Sequence, residues 1–91
     1  MKKIKVSQMT SPRTGNPIAN QFEIYTDKGV YFQSYRSIIA FKPHNGKTQL
    51  DEYYWDFSRT TSKYRNEFLN ENTNETRRRI KEGDYKLVNL N

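Results

Sequence analysis

The chain has 91 residues, of which 33% are apolar and 29% charged, with a net charge of +6. This length predicts a single domain over residues 1–91 with one small core and one functional site. The sequence contains no cysteine, which excludes disulfides and thiolate metal sites and is compatible with a reducing compartment. Residues 1–9 contain no apolar run as long as a signal peptide or a membrane span. We therefore expect a soluble cytoplasmic protein without a membrane partner.

The positive charge is unevenly distributed. Residues 1–50 contain eight Lys/Arg and two acidic residues, whereas residues 51–91 contain eight of each. A basic half indicates attraction to nucleic acid, to anionic nucleotides or to an acidic protein surface. Solubility alone is the alternative, because a charge of this size is ordinary for a small domain. Both interpretations stay open at this point.

Alternating apolar and polar residues predict strands in the first half. Residues 4–6 alternate apolar and basic side chains, which is typical of an edge strand, and the turn formers after them predict a loop over 10–20. The alternation resumes at Gln21 and turns at residues 27–29, so that a β-hairpin is predicted. A second hairpin follows, because a β-branched run from Ser37 ends in an Asn-Gly turn.

The apolar spacing changes from two to about 3.6 residues near position 57. This change predicts a helix over about 58–70. A capping box of Asn72 and Glu75 precedes a second helix over about 74–82. Residues 85–90 predict a last strand. The predicted fold is therefore α+β, an antiparallel sheet of four to six strands with two C-terminal helices packed on one face.

Few side chains are available for catalysis. His44 is the only histidine and lies in a predicted turn, and the four glycines are isolated, so no phosphate-binding loop is present. Ser34 and Ser37 have no identifiable base. We therefore expect a non-enzymatic protein with no catalytic residue, no cofactor and no metal site. Three acidic residues are interpreted as solvated or capping carboxylates: Asp51, Glu52 and Asp56.

Three basic surfaces are candidates for binding nucleic acid or another polyanion. In the first, alternation around Phe32 directs Tyr31 and Tyr35 to the opposite sheet face, where rings stack on bases and cations hold phosphates. The alternative is that the helices cover this face and both tyrosines belong to the core. Three basic residues are assigned to this surface, namely Arg36, Lys42 and Lys47.

The second surface lies on the first predicted helix and comprises Arg59, Lys63 and Arg65. Arg59 and Lys63 are four residues apart and are therefore neighbours on that helix, so one phosphate can bridge them. Lys63 is also one turn from Glu67, with which it can form an ion pair. A solvated helix face without a ligand is therefore the alternative.

The third surface lies on the second predicted helix, which contains three consecutive arginines at 77–79 and then Lys81. Consecutive helical residues are 100° apart, so the three arginines do not form one flat patch. Glu75 and Glu82 each lie four residues from one of the arginines and are expected to pair with it. Arg77 and Lys81 are left as the freer cations, and a purely structural helix is the alternative.

An aromatic segment at positions 53–57 joins the strands to the first helix. Tyrosine and tryptophan are typical anchors of protein interfaces, and a small core needs such residues equally. We expect Trp55 and Phe57 in the core. Tyr53 or Tyr54 is expected to remain exposed and is a candidate for a protein interface.

Several stretches have a distinctive combination of residues, among them Tyr54-Trp55-Asp56-Phe57-Ser58-Arg59. The others are 29–35, 37–40, 60–61, 63–66, 68–69, 75–76, 80–81, Gly83 and 85–91. Together they resemble a family of small uncharacterised phage proteins, a domain of unknown function. The resemblance implies a context rather than an activity: an accessory protein made in an infected or lysogenic bacterium, where such proteins often bind nucleic acid or block a host factor.

Three hypotheses about function follow. The leading one is binding of nucleic acid or another polyanion, centred on Tyr31, Tyr35 and Arg36, and it predicts strong salt dependence. The rival is inhibition of a host or anti-phage defence protein through Tyr53 or Tyr54. The third is sequestration of a signalling nucleotide between Tyr35 and the basic helix, in one copy or across a homodimer.

Overall fold

The computed structural model describes residues 3–91, so Met1 and Lys2 of the predicted domain lie outside the described residues. Within that range, six strands form one sheet in the order β1-β2-β3-β4-β5-β6. The strands are β1 (Lys5–Thr10), β2 (Pro17–Tyr25), β3 (Gly29–Ser34), β4 (Ser37–Pro43), β5 (Gln49–Asp51) and β6 (Lys86–Val88). Two helices, α1 (Arg59–Leu69) and α2 (Thr73–Lys81), lie between β5 and β6. The predicted α+β fold is confirmed.

The sheet is antiparallel from β1 to β5 and parallel only between β5 and β6. A parallel pair needs a long crossover connection, which α1 and α2 provide. The first connection is shorter than predicted: the two strands extend into the expected loop, and only residues 11–16 connect them. The predicted edge strand is β1, which lies at one edge of the sheet.

Each helix is preceded by a capping residue, whose side chain accepts a hydrogen bond from a free backbone N–H group in the first turn. Ser58 Oγ accepts from the Thr61 N–H at 3.1 Å, and Asn72 Oδ1 accepts from the Glu75 N–H at 2.8 Å. The observed helices differ from the predicted ranges by one residue at each end. Among the described residues, neither helix is long and apolar enough to cross a membrane.

The core lies between α1 and one face of the sheet. Phe32 on β3 stacks on Phe68 of α1, with 5.6 Å between the ring centroids. Alternation along β3 directs the neighbouring side chains to the other face, which neither helix covers in the described part of the chain. We call that face the open face. The buried core residues are Phe32, Ile39, Ala40, Leu50 and Phe68.

Candidate functional site

Two cross-strand rows of side chains line the open face. The register of the strands defines both rows, because partners across a sheet share a face. Six of these ten positions are apolar or aromatic, three are glutamine and one is lysine; in this part of the described chain none is a carboxylate. The first row is Val6, Ile24, Tyr31, Phe41, Gln49 and Lys86, and the second is Gln8, Phe22, Gln33 and Ile38.

Tyr31 and Phe41 form the centre of the open face. Their rings stack with 4.1 Å between centroids and an interplanar angle of 18°. Phe41 also packs against Gly29, where an added Cβ would lie 2.8 Å from Phe41 Cε1. Phe41 is therefore buried although neither of the two described helices covers it, whereas Tyr31 is partly exposed. The Tyr31 ring is the part of this pair that a ligand can contact.

Tyr35 and Arg36, which were predicted to lie beside Tyr31 on the strand, form the turn between β3 and β4 instead. Tyr35 has a φ of 57°, a left-handed conformation that ends the alternation of the strand. The predicted placement of these two residues on the sheet face was therefore wrong. Tyr35 contributes to a pocket on the helix side of the turn, and Arg36 is exposed beside it.

Lys42 and Lys47 were predicted to extend the Tyr31 surface, and both make structural contacts elsewhere. Lys42 Nζ donates to the Phe68 carbonyl at 2.9 Å and lies 4.2 Å from the Phe68 ring centroid. Lys42 is therefore on the helix-covered face. Lys47 Nζ donates to the Gly83 carbonyl at 2.7 Å, just after α2, where the helix dipole favours a cation. Neither lysine reaches the open face.

Arg59 and Lys63 are exposed on α1, as a ligand-binding pair requires, but they lie on the opposite side of the sheet from Tyr31. Lys63 Nζ lies 5.3 Å from the centroid of the Tyr64 ring. The assignment of Arg65 to this surface was wrong, because Arg65 is fully buried and belongs to the core.

The basic side chains of α2 are mostly paired. Arg78 forms the predicted bridge to Glu82 at 3.1 Å. Arg77 was expected to be one of the freer cations, but it lies 3.0 Å from Asp56 Oδ2, which the sequence spacing did not indicate. Lys81 is exposed and, among residues 3–91, forms no ion pair. The three arginines of the third predicted surface are therefore held in ion pairs within the fold.

The aromatic segment packs three of its rings together at the surface. The ring centroids of Tyr53 and Tyr54 are 4.7 Å apart, and those of Tyr54 and Phe57 are 5.2 Å apart. Tyr53 is 68% exposed, which confirms one expectation, but Phe57 is 59% exposed and was wrongly expected in the core. Phe57 precedes α1 and lies in a turn, so the helical spacing does not apply to it. Trp55 packs against the core.

Asp56 fixes the position of this segment. Its Oδ1 accepts a hydrogen bond from Ser62 Oγ at 2.7 Å, and its Oδ2 accepts from Arg77 at 3.0 Å. Burial alone would raise the pKa of Asp56, but the hydrogen bonds from Ser62 and Arg77 and the charge of Arg65 outweigh it and hold the pKa below its usual value. The segment is thus connected to both helices.

A ligand of this protein would contact aromatic rings, apolar groups and cations. In the range 3–91, no three His, Cys, Asp or Glu side chains are grouped as a metal site would require. His44 is exposed between β4 and β5, and its backbone N–H donates to the Lys28 carbonyl at 2.9 Å. His44 is therefore a turn residue, as predicted.

Sequence reasoning missed several members of the open face. Phe41 and Phe22 were assigned to strands but not to a surface. Both could have been found by pairing the two hairpins in register from Tyr31, because a cross-strand partner shares its face. The pocket behind Tyr35 carries no local sequence signal, because its residues come from two separate segments, 34–39 and 54–61.

The fold and this site define the class as an α+β protein with helices on one sheet face and a partly exposed aromatic ring on the other. The chain belongs to the family of unknown function DUF8033, whose model matches residues 4–84. This match confirms the resemblance to an uncharacterised domain. It covers β1 to β5 and both helices, and therefore most of the open face. No curated protein and no solved structure matches the chain.

Proposed function

We propose that this protein is a non-enzymatic phage accessory protein that binds single-stranded nucleic acid on its open face, in the cytoplasm of the infected bacterium. The phage context rests on the resemblance described above. The binding activity is supported chiefly by the ring of Tyr31, which is partly exposed at the centre of a sheet face that neither helix covers in the described chain. Each base that stacks on such a ring contributes about 1–3 kcal/mol.

The charge distribution supports an anionic ligand. The two rows of the open face include no carboxylate within the described residues, and Lys86 lies at their edge. Lys28 precedes β3 and Arg36 follows it, and both are exposed. Several acids on the helix side form ion pairs, such as that of Glu82 with Arg78. A phosphate backbone laid along β3 would therefore meet a cation at each end.

A single strand fits this face better than a duplex. Stacking needs the flat side of a base, and in a duplex those sides are covered by neighbouring base pairs. The open face is also a sheet surface rather than a protruding helix, which is the element that most often enters a major groove. We therefore expect weaker binding to double-stranded than to single-stranded oligonucleotides of equal length.

Tyr31→Leu is expected to weaken binding of a labelled single-stranded oligonucleotide of about ten nucleotides by about tenfold. Leucine removes the stacking ring but leaves an apolar group over Phe41, so the fold is kept. Fluorescence anisotropy at low salt measures the change. Tyr25→Leu is the matched control, because Tyr25 is an exposed tyrosine of β2 on the other face. The affinity of this variant for the oligonucleotide should equal that of the unchanged protein.

The salt dependence provides the second part of this test. The logarithm of the binding constant should fall linearly with the logarithm of the salt concentration, with a slope of about −0.7 per phosphate contacted. Arg36→Ala should make that slope shallower. The proposal fails if no oligonucleotide binds at low salt, or if Tyr31→Leu and Tyr25→Leu weaken binding equally.

A second candidate function is inhibition of a host or anti-phage defence protein. It is supported by the adjacent exposed rings of Tyr53 and Phe57, whose centroids are 5.7 Å apart, since exposed aromatic clusters are typical anchors of interfaces.

Tyr53→Ala is expected to abolish capture of a host protein that is retained after nuclease treatment, because truncation of an anchoring tyrosine typically costs about 2 kcal/mol or more of binding free energy. A pull-down from host lysate, quantified against Tyr31→Leu as the control, measures this. Retention of the partner by Tyr53→Ala would exclude the cluster as its binding site.

A further inference from the structure

A pocket of about 210 Å³ opens between the β3–β4 turn and the start of α1. Its aromatic walls are Tyr35, which is 53% exposed, together with Tyr54 and Phe57. This volume is below the roughly 300–1,000 Å³ of sites for drug-sized ligands, so the pocket has room for one ring system rather than for an extended molecule. Four hydroxyl residues and one aliphatic residue complete the lining: Ser34, Ser37, Ser58, Thr61 and Ile39. We call it the Tyr35 pocket.

The inner side of the Tyr35 pocket is polar. Ser34 Oγ and Thr61 Oγ1 are buried and form a hydrogen bond with each other at 3.2 Å. Gln21, the register partner of Ser34 on β2, is fully buried, and neither atom of its side-chain amide has a hydrogen-bond partner in the described part of the chain. An unsatisfied buried amide is costly, but Gln21 does not line the pocket, so the hydroxyl groups are the polar atoms that a ligand meets there. A ligand that carries ring heteroatoms would match this chemistry better than a plain hydrocarbon ring.

Two exposed arginines are the chain neighbours of residues that line the Tyr35 pocket. Arg36 follows Tyr35, and Arg59 follows Ser58, and both arginines are exposed. Neither forms an ion pair with a carboxylate among residues 3–91. Arginines so close in the chain to an aromatic pocket favour a ligand ring that is attached to a phosphate.

We infer that the Tyr35 pocket binds one nucleobase, with its attached phosphate between Arg36 and Arg59. Aromatic walls stack on the base, the hydroxyl groups contact its polar edge, and the two arginines hold the phosphate. The inference rests on the proposed function in one respect: a strand that follows β3 from Tyr31 arrives at the β3–β4 turn and brings a base to the pocket. A free mononucleotide is the other source of the same chemistry.

Titration of the purified protein with nucleoside 5′-monophosphates tests the inference. The single tryptophan, Trp55, adjoins Tyr54 in the chain, and its fluorescence is expected to change on binding. Ribose 5-phosphate, which lacks the base, should have no effect. Phe57→Ala removes an exposed wall of the pocket and should weaken mononucleotide binding by about fivefold or more. Tyr31→Leu lies outside the pocket and should leave mononucleotide binding unchanged.

The same variants, tested with the labelled oligonucleotide, distinguish the two sources. If Phe57→Ala weakens the binding of both the oligonucleotide and the mononucleotide, the pocket accepts a base from a strand. If only mononucleotides bind, the pocket is a nucleotide site and the proposed function on the open face fails. If the oligonucleotide binds, depends on Tyr31 and is insensitive to Phe57→Ala, and no mononucleotide changes the fluorescence, the inference about the pocket is overturned. Tighter binding of N-acetyltyrosinamide than of any nucleotide would also overturn it, because the pocket would then fit a peptide side chain.

Discussion

Arg65→Ala is expected to lower the free energy of unfolding by on the order of 3 kcal/mol. Arg65 is fully buried, and its guanidinium donates to the Trp55 carbonyl, to Asn66 Oδ1 at 2.9 Å and to Thr73 Oγ1 at 2.9 Å. The guanidinium also lies 5.1 Å from the Trp55 ring centroid. Removal of the side chain creates a cavity and leaves buried acceptors without a donor. Urea unfolding followed by Trp55 fluorescence measures the change.

Two further variants separate the causes of that loss. Arg59→Ala removes an exposed arginine from the same helix and should change the free energy of unfolding by less than about 0.5 kcal/mol. Arg65→Met keeps most of the buried volume but donates no hydrogen bond, so it should recover only part of the lost stability. If Arg65→Met is as stable as the unchanged protein, Arg65 contributes to stability only by filling space.

Burial of Arg65 also has a functional consequence. Burial lowers its pKa, and hydrogen bonding and the charge of Asp56 oppose that shift, so the group stays charged and remains a donor. It connects the aromatic segment at Trp55 to α1 and, through Thr73, to α2. The positions of Tyr53 and Phe57 therefore depend on Arg65. We therefore expect substitutions of Arg65 to weaken the binding of any ligand that contacts those rings, although Arg65 itself does not touch the ligand.

The fold could be predicted from the sequence because local signals and tertiary packing agree. The alternation on either side of residues 27–29 specifies a hairpin, and a hairpin needs no distant partner. The change to a helical period, with Ser58 and Asn72 as capping residues, similarly placed both helices. The parallel pairing of β6 is different. It depends on the position at which the chain re-enters the sheet after the two packed helices, and no local sequence pattern encodes that position.

The candidate site was only partly predictable, for four physical reasons. The run at 38–41 is continuously apolar, so alternation does not show which of its residues share a face with Lys42. A bulge between β3 and β4 shifts the register near Phe32 as well. The left-handed backbone of Tyr35 is rare for a residue other than glycine and has no sequence signal here. The burial of Arg65 was missed because arginine is almost never fully buried.

Asp51→Asn is expected to lower the free energy of unfolding by about 2 kcal/mol at pH 7. Asp51 is only 2% exposed. Its Oδ2 accepts hydrogen bonds from the N–H groups of Tyr53 and Tyr54 at 3.1 and 2.9 Å, and its Oδ1 accepts from the Leu90 N–H at 2.8 Å and from Asn91 Nδ2 at 3.0 Å. Asparagine replaces one accepting oxygen with a donor that faces other donors. Chemical unfolding at pH 7 measures the change, and Glu52→Gln, at an exposed neighbouring position, is the matched control.

The pH dependence of this difference tests whether the charge of Asp51 causes it. Burial alone would raise the pKa of Asp51, but the hydrogen bonds from Leu90, Tyr54, Asn91 and Tyr53 outweigh it, so the pKa lies below its usual value. A carboxylate with a lowered pKa stabilises the folded state fully above its unfolded pKa of about 3.9. That stabilisation is lost as the pH falls through the folded pKa. The stability gap between the unchanged protein and Asp51→Asn should therefore be constant from pH 7 to about 5 and shrink below about 4. A gap that persists undiminished at the lowest pH at which the protein is folded would mean that the shape of the side chain, rather than its charge, holds the aromatic segment to β5.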